Sequence, residues 1–244
     1  MENVDYEALV FDNDPDNRII AAEHGIGLET LVCDPVPEVR NTAKYVSYVE
    51  SLDPEKRKQA AIHGYGLDIL IHDENEYVRA AVAQQGFRLN ELVNDESWHV
   101  RRAVVYQGYE LESFVHDENE HVRMAVARQG VGLDALVHDY DVFVRATVAR
   151  QGYGLDILVN DEDWGVRLAV ARQGYGLDTL IQDKHWKVRA AVAKQGYGLN
   201  ILINDESAKV RAVVAMQKYG LDVLIHDENP DVRAIAMRKQ RKEN

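Results

Sequence analysis

An all-α solenoid of about ten short repeats is the fold this sequence predicts, and three observations predict it. The arginines of successive Val-Arg pairs, Arg79, Arg101, Arg123, Arg145, Arg167, Arg189, Arg211 and Arg233, fall 22 residues apart without a slip. Each is enclosed by a helix-opening residue before it and, in most units, a glycine after it. Between those marks, Val78, Ala81, Val82 and Gln85 and their counterparts recur at i, i+3, i+4 and i+7, the spacing of one helical face.

The elements follow from slots numbered one at His72 to twenty-two at Val93. Slot four holds Asn75, Ser97, Asn119, Asp141, Asp163, Ser207 and Asn229, whose side-chain oxygens accept from the free amides that open a helix. Pro15, Pro54 and Pro230 sit at the first helical position, where proline is tolerated best. Gly86, Gly108, Gly130, Gly152, Gly174 and Gly196 in slot fifteen suit the left-handed residue that closes a helix. Each unit is thus one α-helix of about ten residues. It is followed by a segment such as Tyr153 to Val159, long enough for a single turn of 3₁₀ or α. A stripe this short buries too little alone, so neighbouring units must stack and share a core.

The whole chain, 1–244, reads as a single repeat domain. A half-repeat occupies 1–11, and regular and defective repeats follow over 12–71, where Arg18 and Arg40 keep the period but Arg57 comes only 17 residues after Arg40. Regular units run over 72–237, and a basic tail, 238–244, closes the sequence. In the shortened unit Tyr45, Val46 and Tyr48 stand where the glycine loop is expected, which predicts a local bend and a second contact or dimer surface.

With 28 basic and 41 acidic residues the net charge is −13, and 46% of the chain is hydrophobic, a composition that folds. No run approaches the ~18 apolar residues of a membrane span. The start, Met1-Glu2-Asn3-Val4-Asp5, is acidic where a leader is basic, so no targeting segment is read. One cysteine, Cys33, cannot form an internal disulfide, and a reducing, cytoplasmic setting is expected.

The string Asp-x-x-x-x-Val-Arg-x-Ala-Val-Ala followed by Leu-x-x-Leu, seen from Asp73 to Leu92 and from Asp117 to Leu136, resembles the leucine-rich repeat variant family and is similar to short HEAT-like repeats. That resemblance implies alternating α and 3₁₀ helices wound into a right-handed superhelix. It is nearly silent on function, because such scaffolds bind many things. Two departures stand out: Gly-Tyr-Gly replaces a loop that often carries proline, and the cysteine cluster of an iron–sulfur member is absent, so no cofactor is carried over.

What recurs is expected to hold the stack together, and what varies while exposed is expected to meet a partner. Aspartate in slot two, from Asp73 to Asp227, and arginine in slot eight predict a ladder that locks the stacking register. Gln85, Gln107, Gln129, Gln151, Gln173, Gln195 and Gln217 predict a second ladder, on the buried side, bonded to loop carbonyls. The tyrosines of slot sixteen, such as Tyr153 and Tyr175, are expected over the seams between units.

Slots six, nine and thirteen lie opposite the valine stripe and predict an exposed band. Slot thirteen contains Tyr106, Arg128, Arg150, Arg172 and Lys194, a cationic run in an acidic protein; Lys187 and Lys209 extend it. All three tryptophans, Trp98, Trp164 and Trp186, share slot five at the first helical turn, where an indole is a frequent interface anchor.

The expected function is therefore a non-enzymatic scaffold that recognises another protein through Trp98, Trp164, Trp186 and the exposed band. The alternative is a phosphate or nucleic-acid binder using Arg128, Arg150, Arg172 and Lys194. By analogy with HEAT-like DNA glycosylases, Trp164, Trp186 and Asp163 with the arginine run supply the residue types of a base-excising site, although the acidic net charge opposes duplex binding. No metal is expected, since His72, His116, His138 and His226 recur one per unit at ~8–10 Å, beyond ligand distance. No nucleophile motif or phosphate loop is present. A compact chain of this length has a radius of gyration of roughly 18 Å, and small-angle scattering is expected to return a distinctly larger value.

Overall fold

The structure is a computed structural model, and it describes residues 4–241. The residues Met1 to Asn3 of the acidic start and Lys242 of the basic tail lie outside the described residues. The described residues form helices and turns with no strand, in the 22-residue alternation of long and short helices of an α-solenoid repeat. By its contacts the chain divides into two units, Met1–Leu111 and Glu112–Asn244, where the sequence reads as one domain.

The first unit holds α1 (Tyr6–Leu9), α2 (Pro15–Glu23), α3 (Leu28–Leu31), α4 (Pro37–Val49), α5 (Pro54–Ile62), α6 (Leu67–Leu70), α7 (Glu76–Gln84), α8 (Leu89–Leu92) and α9 (Trp98–Tyr106). A 3₁₀ turn, Leu111–Phe114, follows. The second unit holds α10 (Glu120–Arg128), α11 (Leu133–Leu136), α12 (Val142–Arg150), α13 (Leu155–Leu158), α14 (Trp164–Arg172), α15 (Leu177–Leu180), α16 (Trp186–Lys194), α17 (Leu199–Leu202), α18 (Ala208–Met216), α19 (Leu221–Leu224) and α20 (Pro230–Gln240). Within each unit every long helix packs on the next long helix along the chain, as α12 does on α14 and α5 on α7. Long helices bury valines such as Val78 and Val82, and each short helix inserts one leucine, Leu70, Leu158 or Leu180 among them. Nine residues with one apolar stripe are marginal alone, so each helix depends on its neighbours.

The charged ladder joins consecutive repeats. Arg145 donates from Nε to Asp161 Oδ2 at 2.7 Å and from Nη2 to Oδ1 at 3.0 Å, while its Nη1 donates to the carbonyl of Asp139, at the start of its own repeat, at 2.9 Å. Asp161 Oδ1 in turn accepts from the amide of Asp163 at 2.9 Å, bracing the turn that opens α14. The same rung recurs as Arg18–Asp34, Arg57–Asp73 and Arg79–Asp95 in the first unit, and as Arg123–Asp139, Arg167–Asp183, Arg189–Asp205 and Arg211–Asp227 in the second. These pairs are nearly sealed from water, Arg123 and Asp139 to 4% and 5% side-chain exposure.

The glutamine ladder departs from its expected place. The glutamines are exposed, and the carbonyl each binds belongs to the last residue of the preceding long helix rather than to a loop: Gln85 Nε2 donates to Ile62 O at 2.9 Å and Gln173 Nε2 to Arg150 O at 3.0 Å. Each amide fills one of the orphan carbonyls at a helix C-terminus.

In the shortened unit the glycine loop is lost outright. The thirteen residues of α4 correspond to a nine-residue long helix and a four-residue short one joined end to end. Val49 then places its methyls against Gly66 as Val115 does against Gly132 in a regular unit, so the tight seam survives the deletion. The rung does not survive: Ser51 replaces the aspartate, and Arg40 keeps only the carbonyls of Asp34 and Pro35. Tyr45 stacks on His63, with ring centroids 3.8 Å apart.

Two glycines in one loop separate backbone from packing. Gly174 has φ +77° with open space beside it, whereas Gly176 has φ +60° and a Cβ there would lie 2.5 Å from Val159 Cγ2. Gly174→Ala is expected to cost about 1 kcal/mol from the left-handed backbone, and Gly176→Ala about 3 kcal/mol, as overpacking adds to it; urea unfolding checks the difference.

The carboxyls of Asp34 and Asp227 lie below the ordinary range, chiefly through the hydrogen bonds from Arg18 and Arg211. Burial pushes Asp183 up, but Arg167 and the His185 amide outweigh it and the net shift is downward. A depressed folded value means that the stabilisation is complete above the unfolded aspartate value of about 3.9 and drains away as pH falls below it. The urea midpoint is therefore expected to fall steeply below about pH 4, less so in Asp183→Asn, which itself costs about 3 kcal/mol by leaving Arg167 unpaired.

Candidate functional site

Slots six and thirteen are the recurring outward positions of the long helices, two turns apart on one face. Slot nine, expected between them, is not fully exposed. Ala80 and Ala146 are buried at 6% and 4%, and Leu168, Ala190 and Ala212 are half-buried, because neighbouring helices close over that position. The face is therefore a partly covered floor, of Met124, Ala146, Leu168, Ala190 and Ala212 in the second unit, between two rims.

In the second unit the rim at the helix ends is cationic. Arg128, Arg150, Arg172 and Lys194 close α10, α12, α14 and α16, and all four are exposed. The glutamine bonds fix their backbones in sequence: Gln151, Gln173, Gln195 and Gln217 donate to the carbonyls of Arg128, Arg150, Arg172 and Lys194 at 3.3, 3.0, 3.0 and 3.1 Å. Among the described residues, Arg150, Arg172 and Lys194 have no ion-pair partner. The Arg150 guanidinium is accordingly held below its usual value, first by burial and then by the like charges of Arg172 and Arg128. Arg128 and Arg172 thus lie close enough to Arg150 for the like charges to oppose one another. Their position favours the helices, since cations at a C-terminus meet the negative end of the dipole.

The rim at the helix starts alternates aromatic rings and cations. Trp164 stacks on His185 at 4.2 Å and 14°, and His185 lies 6.2 Å from Trp186 at 19°. Lys187 Nζ sits 4.5 Å from the centre of the Trp164 ring and Lys209 Nζ 4.4 Å from that of Trp186. Each indole is half-buried and covered by a cation of the following repeat. His185 is the ring that sequence reasoning passed over. It replaces the usual capping oxygen, its Nδ1 accepting from the Lys187 amide at 3.3 Å, and the signal lay in Lys184-His185-Trp186-Lys187, where most other regular repeats carry Glu followed by Asn, Asp or Ser.

Trp98 and Tyr106 belong to the first unit. Trp98 stacks on His99 at 3.7 Å with Arg102 over its ring at 4.7 Å, and Tyr106 is 46% exposed at the end of α9. The slot-sixteen tyrosines Tyr153, Tyr175 and Tyr197 are 42–43% exposed.

The residue types of the glycosylase analogy do not converge. Asp163 caps α14, accepting from the Gly165 amide at 2.7 Å, while Arg172 closes the same helix about 13 Å away along its axis. Among the described residues no group of three or more His, Cys, Asp or Glu side chains is placed to hold a metal ion. No helix there is long and apolar enough to cross a membrane. The groove beside the fused helix α4, about 810 Å³, is lined by Glu23, His24, Val46, Glu50, Tyr65 and Asp68 among others, and its charged walls are acidic.

No family model matches the chain, and no curated protein does. Among solved structures it is similar to two described as engineered proteins from the Northeast Structural Genomics Consortium. One is 14% identical over 97% of both chains with a TM-score of 0.39, and the other 19% identical over 98% of both with a TM-score of 0.13. Likeness of that degree carries no argument about function.

Proposed function

We propose that this helical repeat protein is a non-enzymatic scaffold, of the leucine-rich-variant or HEAT-like kind, that holds an acidic segment of another protein on the cationic face of its second unit. The observation that carries the reading is the row of exposed cations that closes α10, α12, α14 and α16, in which Arg150, Arg172 and Lys194 have no ion-pair partner among the described residues. Like charges kept side by side cost stability unless something binds them, and an acidic partner returns that cost on association.

Size supports a narrow partner. Four cations at ~9–10 Å intervals span about 30 Å, the length of roughly nine residues of extended chain. A broad polyanion is disfavoured, because Glu162 and Glu206 stand almost fully exposed, 91% and 84%, beside the helix starts of α14 and α18, and the chain carries −13 overall. Trp164 and Trp186 flank the floor as apolar seats whose lysine covers can turn to a carboxylate. Cys33, exposed and free, fits a reducing, cytoplasmic setting.

Fluorescence anisotropy with a short labelled poly-glutamate peptide tests the reading, with oligothymidylate of equal charge as competitor. Arg150→Glu with Arg172→Glu and Lys194→Glu is expected to weaken peptide binding by at least about tenfold and to flatten its salt dependence. Trp164→Ala with Trp186→Ala is expected to weaken it further. Unchanged binding in the triple variant, or tighter capture of the oligonucleotide at equal salt, overturns the proposal.

A further inference from the structure

In the second unit the end of a long helix and the loop after it repeat one design. Arg150, Arg172 and Lys194 close α12, α14 and α16, and each is followed by a glutamine, a glycine and a tyrosine, the last being Tyr153, Tyr175 and Tyr197. Those glutamines, Gln151, Gln173 and Gln195, are engaged on the carbonyl that ends the preceding long helix. Gly152, Gly174 and Gly196 are exposed, with open space where a Cβ would stand. Each repeat therefore presents a cation and a ring separated by backbone that carries no free side chain.

The tyrosines are unengaged. Among the described residues the hydroxyls of Tyr153, Tyr175 and Tyr197 have no hydrogen-bond partner and their rings no stacked or cationic neighbour, whereas Trp164 and Trp186 are covered. Beyond them Asp156 and Asp178, exposed in the first turns of α13 and α15, make the far side of the strip acidic. A ligand laid along the strip meets positive charge on one side and aromatic faces on the other, and its own acids are turned toward the cations.

The period decides which backbone fits. Packed helices lie ~8–10 Å apart, so cation and ring each recur once in that distance. A polyproline II helix has three residues per turn and rises about 3.1 Å per residue, so every third side chain faces the same way, about 9.3 Å further on. Three residues of β-strand cover a similar length, but alternate side chains face opposite ways, and residues three apart cannot share one row. We infer, on the reading above that this face holds an acidic segment, that the segment is a polyproline II helix with a carboxylate at every third position and proline between. Its acids meet Arg150, Arg172 and Lys194, one proline face lies on Tyr153, Tyr175 and Tyr197, and the third face meets solvent. Aromatic rows suit proline rings, and the unbonded carbonyls of such a helix are acceptors for the free tyrosine hydroxyls.

Anisotropy of the full chain with three labelled peptides of equal charge tests this. One has four Glu-Pro-Pro triplets, the second is its isomer with the four glutamates together between blocks of proline, and the third has four Glu-Gly-Gly triplets. The Glu-Pro-Pro peptide is expected to bind at least about tenfold tighter than either control. Tyr153→Ala with Tyr175→Ala and Tyr197→Ala, shown folded by circular dichroism, is expected to abolish that preference while binding the clustered isomer within about twofold of the wild type. Equal binding of the Glu-Pro-Pro peptide and either control, or a preference that survives in the folded tyrosine variant, overturns the inference; if that variant does not fold, the three peptides on the wild type decide. Binding of all three at one affinity, lost in Arg150→Glu with Arg172→Glu and Lys194→Glu, overturns this inference and leaves the acidic-segment reading standing. Binding of none of them, nor of poly-glutamate, overturns both.

Discussion

Stacking in this protein depends on a buried arginine that must satisfy its own repeat and the next one at once. The guanidinium of Arg145 spends one nitrogen on carbonyls behind it and two on the carboxylate of Asp161 ahead of it. A cation this deeply covered is costly if any of those acceptors is missing, so a unit displaced along its neighbour exposes an uncompensated charge rather than a weaker contact. Apolar stripes alone give no such discrimination, because valine and alanine pack acceptably in several registers. The fork makes one register far better than the rest, and it does so with residues local to each seam, which is why the same pair can be repeated without any change of design.

That repetition made much of the fold legible in the sequence. A fixed spacing between Val-Arg pairs, capping residues such as Asn75 and closing glycines such as Gly174 each report a local requirement, and local requirements are written in neighbouring residues. Long-range ones are not. Gln85 shares the helical spacing of Val78 and Val82 and was expected inside, yet it stands exposed at the end of α7, because the acceptor that recruits it, the Ile62 carbonyl, belongs to the preceding helix. Ala146 looked outward on a single helical wheel and is buried by its neighbours, since a wheel holds only one helix. The five-residue loss before Arg57 was visible as a count, but its result was not: with the loop gone, the long helix and the short helix share an axis and fuse into α4.

The candidate site was legible as a list of cations and tryptophans and not as an arrangement. Arg167 and Arg172 are the same residue type five positions apart in α14. One is locked on Asp183, and the other extends from the helix end with no carboxylate. Only the recurrence of the first and the variability of the second slot separate them in the sequence. The tryptophans gained most from the structure: Trp164 and Trp186 are not bare anchors but are linked through His185 and covered by Lys187 and Lys209, a ribbon of rings and ammonium groups in which each residue conditions the next.

Ser51 gives the first unit a character of its own. Each charged rung sets two side-by-side bonds across its own seam, as Arg145 does on Asp161. Between α4 and α5 that pair of bonds is absent, and the seam there rests on side-chain packing and the stacked rings of Tyr45 and His63. A register slip at that one seam therefore strands no carboxylate, so α4 and α5 are matched by shape and ring stacking where other seams are matched by charge.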